Sequence, residues 1–98
     1  MSQVERRLRE VSSRLRRARE ELAVLDEQAS ALEDGAEEAR VRALVSEAPA
    51  DRRDERDARR HADAMSRSRQ ALADEIARLI AAQDDLLDRL VIDTPPIR

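Results

Sequence analysis

The stretch ALVSEAPADRR, residues 43–53, decides the fold, because Pro49 within it is the only proline before Pro95 and Pro96 and it separates two long runs of regularly spaced apolar residues. Proline disfavours helical geometry at the preceding Ala48 and removes a backbone donor. The pattern therefore predicts an all-α chain, a single helical hairpin over residues 1–98, with a helix over 2–47, a turn over 48–52, a second helix over 53–92 and a tail over 93–98.

Upstream of the proline, Val4, Leu8, Val11, Leu15, Ala18, Leu22, Leu25, Ala29, Leu32, Ala36, Ala39 and Ala43 recur at alternating steps of four and three. This is the seam of a heptad pattern, the signature of helices that bury one stripe against a partner. Ser2 stands where an N-cap would, with Glu5 as its capping-box partner. Downstream, Ala58, Ala62, Met65, Arg69, Leu72, Ile76, Leu79, Gln83, Leu86 and Leu90 keep the same rhythm, with Asp51 as the expected N-cap. Two heptad seams flanking one break predict an antiparallel two-helix coiled-coil hairpin.

Layering large residues on large and small on small places Val11 on Leu90, Leu15 on Leu86, Ala36 on Met65, Ala39 on Ala62 and Ala43 on Ala58, with a pivot between Ala50 and Asp51. Two polar residues then fall in the seam: Gln83 opposite Ala18, and Arg69 opposite Leu32. Polar groups in such positions fix register at a cost in stability. Gly35 is the one residue against a continuous first helix, since a mid-helix glycine costs about 1 kcal/mol relative to alanine. The seam passes through it in phase, so a continuous or mildly kinked helix is expected over a three-helix arrangement turning at Asp34-Gly35.

Composition agrees with long helices. Of the residues 42% are charged, none is aromatic and none is cysteine, while the net charge is only -3. High charge favours disorder, but strict apolar periodicity argues against it. All nineteen basic residues are arginine, which suggests a GC-rich bacterial coding bias as readily as guanidinium chemistry. Neither a membrane span nor the apolar segment of a signal peptide is present, so a cytoplasmic protein with no membrane partner is expected.

Chemistry-bearing constellations are sparse. Arg6, Arg7, Arg9, Arg14, Arg16, Arg17 and Arg19 form a basic arm of the kind that contacts nucleic-acid phosphates. The facing segment carries Asp84, Asp85, Asp88 and Asp93, and no aromatic residue is available to stack bases, so nucleic-acid binding is disfavoured. His61 is the sole histidine, and one imidazole among scattered carboxylates does not make a metal site. Without cysteine, tyrosine or a glycine-rich phosphate loop, no catalytic residues, no metal site and no cofactor are expected, and the chain reads as a non-enzyme.

Asp51, Asp54 and Glu55 put carboxylates at the tip of a hairpin whose helices would each reach roughly 60 Å at 1.5 Å per residue. In that architecture and in the spacing of Asp51 and Asp54 the chain resembles the coiled-coil regulators that enter the secondary channel of bacterial RNA polymerase. The resemblance implies tip carboxylates presented near the polymerase's catalytic magnesium, and hence a transcription regulator as the alternative function. Arg52, Arg53, Arg56 and Arg59 crowd the same tip, a departure from a metal-directed carboxylate pair.

Apolar residues outside the seam carry the leading expectation. Ala73, Ile80 and Leu87 repeat every seven residues beside the second seam and widen it beyond what one partner helix covers. Val41, Leu44 and Val45 form a second patch near the tip of the first helix. The expected function is a coiled-coil interaction or scaffolding protein: a homodimer that associates through Ala73, Ile80 and Leu87 into a four-helix bundle and offers Val41, Leu44 and Val45 to a protein partner.

Overall fold

Ser2 caps the first helix as its position suggests: its Oγ accepts the Glu5 backbone N–H at 3.1 Å, which satisfies one of the donors that a helix start leaves open. In the computed structural model, which describes residues 2–93, helix α1 runs Gln3–Val45 and helix α2 runs Pro49–Asp93, joined by residues 46–48. The fold is an all-α antiparallel hairpin, with no strand among the described residues. Of the tail expected over 93–98, Asp93 closes α2 and residues 94–98 lie outside the described residues, as does the stop expected at Pro95 and Pro96.

The turn is shorter and earlier than the proline suggests. Pro49 does not sit in a loop; it is the first residue of α2. Proline is well suited there, because the first helical residue has no intrahelical use for its N–H and its fixed φ is already helical. Ser46 Oγ accepts the Ala48 N–H at 3.1 Å, and the Asp51 N–H donates to the Ala48 carbonyl at 3.1 Å. Asp51 is therefore not the N-cap of α2. It lies in the first turn, where a carboxylate meets the positive end of the helix dipole.

Gly35 neither breaks nor ends α1, which is continuous through it. Its φ is not positive, and a Cβ built there would meet nothing within 4 Å. The glycine has no structural demand to satisfy and only adds entropy to the unfolded chain.

Residues gather into two compact units. Met1–Glu21 with Leu72–Arg98 form one, here the terminal unit, and Leu22–Ala71 form the other, the turn unit. Leu15, Ala18, Leu72, Ile76, Leu79 and Leu86 are the buried core of the first; Ala36, Ala39 and Ala62 are that of the second. Each of these is a seam residue. The terminal unit buries leucine and isoleucine, so it gains more from apolar burial per layer than the alanine core of the turn unit.

The register within each unit departs from the size-matched layers. In the terminal unit Gln83 Nε2 donates to Ser12 Oγ at 3.0 Å. That bond sets Leu15 level with Leu79 and Leu8 level with Leu86, where Leu15 on Leu86 was expected. In the turn unit Arg69 bonds Asp26 rather than facing Leu32, and the Arg59 guanidinium grips Glu33 with two bonds of 3.0 and 2.9 Å. Both departures amount to one heptad. In the turn unit the departure follows from the turn, because a pivot at residues 46–48 instead of Ala50-Asp51 slides its paired positions by about seven. The same slide gives each polar seam residue a polar partner.

Replacing Gly35 by alanine is expected to raise stability by about 0.5–1 kcal/mol, whereas Leu15→Ala is expected to cost about 2–5 kcal/mol, both measured by urea unfolding at fixed protein concentration. A neutral or destabilising Gly35→Ala would contradict the unstrained, uncrowded helix at that position.

Candidate interaction surface

On α2 the seam line through Ile76, Leu79 and Gln83 has two edges. Glu75 marks one, reached by Arg14 of α1 at 3.6 Å. Ala73, Ile80 and Leu87 mark the other. Ala73 and Ile80 are half-buried beside α1, while Leu87 is 43% exposed. Val91, four residues beyond Leu87 and therefore on the same helix face, is 74% exposed and extends the stripe. Sequence spacing could have found it from the step of four.

The α1 side of this face is edged by Ser12, which bonds Gln83, and by its heptad neighbours Glu5 and Arg19. Arg9 and Arg16 stand next to that edge. Arg6, Arg7, Arg9, Arg16, Arg17 and Arg19 are all exposed, and none makes an ion pair among the described residues; Arg14 alone reaches across the unit. On α2, Asp85 pairs with Arg89 of its own helix at 3.2 Å, while Asp84 and Asp88 are exposed and make no ion pair among the described residues. Arg14 with Glu75 is a cross-helix ion pair of the basic arm, and Asp84, Asp85 and Asp88 take no part in it.

In the turn unit, Val41, Leu44 and Val45 project from the outer side of the last turns of α1, with Leu44 71% and Val45 83% exposed. Val24, further along the same helix, is also exposed. Neither of the hairpin's helices covers this patch. Of the tip carboxylates, Asp51 and Glu55 are half-buried and Asp54 is exposed. Asp54 lines an open cleft with Gly35, Arg42, Asp57 and His61, and His61 itself is exposed. Among the described residues no group of three or more His, Cys, Asp or Glu is placed to hold a metal ion.

Arg69 and Gln83 are the two polar residues of the α2 seam. Arg69 is exposed at the edge and engaged by Asp26; Gln83 is half-buried and engaged by Ser12. Sequence reasoning did not foresee Asp26, Ser12 or Glu33 as partners, because the layer order assumed for the turn put other residues opposite. Helix-borne pairs add to these: Glu37 with Arg40 at 2.6 Å, Arg59 with Asp63 at 3.5 Å, and Asp57 with Arg60. Exposed pairs of this kind are individually worth little.

Comparison of the chain with protein families, with characterised proteins and with solved structures finds no match.

The Arg59 guanidinium, bonded to both carboxylate oxygens of Glu33, holds that carboxyl below its ordinary value of 4.5. Arg40 does the same for Glu37. A carboxyl whose folded value is depressed contributes stability above its unfolded titration and loses it as pH falls through the folded value. The thermal-stability gap between wild type and Arg59→Gln is therefore expected to be constant from neutral pH to about pH 5 and to close below 4.5. Thermal unfolding at low ionic strength measures it; a gap that persists undiminished through strong acid would contradict the Glu33 pairing.

Proposed function

We propose that the protein is a non-enzymatic helical interaction protein, which acts by docking helices against itself and against a protein partner. One observation carries this reading. With the seam complete, large apolar side chains still stand in water in each unit: Leu87 and Val91 on α2, and Leu44 and Val45 on α1. Leaving such side chains exposed forgoes about 1.5–3 kcal/mol each relative to burying them, and contiguous apolar residues rimmed by charge mark interaction surfaces.

The stripe of Ala73, Ile80, Leu87 and Val91 lies beside the seam, where a further helix extends a two-helix layer into a coiled-coil four-helix bundle. Self-association there supplies core that a single helical pair of this length lacks. Val41, Leu44 and Val45, on the outer side of α1 in the turn unit, are the surface we assign to a different protein. The two sets lie on different helices and in different units, so separate mutations can change them. No helix among the described residues is long and apolar enough to cross a membrane.

Sedimentation across a range of concentrations tests the reading. Wild type is expected to form a dimer; Ile80→Asp with Leu87→Asp is expected to sediment as a monomer of unchanged helicity, and Leu44→Asp with Val45→Asp to remain dimeric. A wild-type chain that stays monomeric at the highest concentration reached would rule out self-association.

A further inference from the structure

Resting on that reading, the charges around the α2 stripe fix how the second copy sits. The stripe is apolar along Ile80, Leu87 and Val91 but carries acid in and beside it, at Asp84 and Asp88. Its best cover is a helix with apolar length and cationic ends. The exposed arginine edge of α1 offers both, since an arginine stem covers apolar surface while its guanidinium reaches a carboxylate at the rim. Arg9 and Arg16, without ion pairs among the described residues, stand on the same face of the terminal unit as the stripe.

Two isologous face-to-face arrangements of the terminal unit are open to a dimer. An axis perpendicular to the helices lays α1 on α1 and α2 on α2, setting arginine against arginine and aspartate against aspartate. An axis parallel to the helices lays the basic α1 of each copy on the acidic α2 of the other. Like charges brought together at an interface oppose association, and complementary ones favour it. We propose that the protein forms a dimer whose two-fold axis runs parallel to the helices of the terminal unit, with the Arg9 and Arg16 edge of each copy covering the Ile80, Leu87 and Val91 stripe of the other. Such an axis preserves level along the helices. The Ser12–Gln83 bond sets Arg9 level with Leu86 in its own chain, two residues from both Asp84 and Asp88, so Arg9 of one copy falls between those two carboxylates of the second.

Because the chain has no cysteine, single-cysteine variants report the arrangement directly. Chains carrying Arg9→Cys and Asp84→Cys, mixed and oxidised, are expected to cross-link to each other well above the yield of Arg9→Cys with itself. Sedimentation of wild type at about 0.05 M and about 0.5 M NaCl, across which the screening length falls from beyond 10 Å to below 5 Å, is expected to show salt weakening the dimer's affinity about tenfold or more. Arg9→Glu with Arg16→Glu is expected to weaken the low-salt dimer by a similar factor; Arg17→Glu, on the outer side of α1, is expected to change it less than about threefold. A dimer that tightens with salt and joins Arg9→Cys to itself would overturn the parallel axis while leaving self-association standing. A chain monomeric in every condition would overturn both.

Discussion

The three-residue turn at 46–48 is the constraint on which the rest of the structure depends. Pro49 opens α2 with its φ already helical and no N–H to satisfy, and Ser46 ties the connection through its hydroxyl. Once two continuous helices leave so short a turn, which residue of α1 can meet which residue of α2 is fixed in the turn unit. Within that unit the pairing lets Arg59 grip Glu33 and Arg69 reach Asp26. In the terminal unit the corresponding signature is Gln83 on Ser12. Apolar layers alone are tolerant of a heptad slide; a half-buried polar group such as Gln83 is less so when it loses its partner. The polar pairs therefore supply specificity that the leucine and alanine layers lack.

What could be read from residues alone follows from the same distinction. A heptad seam is a property of one helix, so all nine side chains buried among the described residues, from Leu15 to Leu86, fall on the seams that spacing identifies. Ser2 is readable for the same reason, since a cap is local. Register is a property of two helices and a turn. Sliding by a whole heptad keeps every seam residue in the seam, and size matching between Leu15 and Leu86 or Leu15 and Leu79 is equally good. Pro49 misled because its power to stop a helix and its fitness to start one act at neighbouring positions. Ser12, Asp26 and Glu33 became partners only once the turn was placed.

The surface follows a similar division. Seven-residue recurrence marks Ala73, Ile80 and Leu87, and the structure adds Val91 to their face. The sequence also shows a basic arm opposite an acidic one, which suggests mutual cancellation. In the terminal unit Arg14 pairs with Glu75 across the helices, while Arg9, Arg16, Asp84 and Asp88 are exposed and make no ion pair among the described residues. Charges that an antiparallel neighbour cannot reach are available to another molecule. Ile80, Leu87 and Val91 thus share one face of the terminal unit with Arg9 and Arg16, whereas Leu44 and Val45 lie in the turn unit.

Register is the claim from which the partner assignments, the level of Arg9 between Asp84 and Asp88 and the assignment of faces all descend. Disulfide formation within single chains measures it most directly, because the chain has no cysteine of its own. Under dilute oxidising conditions Ser12→Cys with Gln83→Cys is expected to close a disulfide efficiently, and Ser12→Cys with Leu90→Cys, the counterpart one heptad on that a pivot at Ala50-Asp51 would favour, is expected to remain reduced. Preferential closure of the second pair would contradict the register and the account built on it.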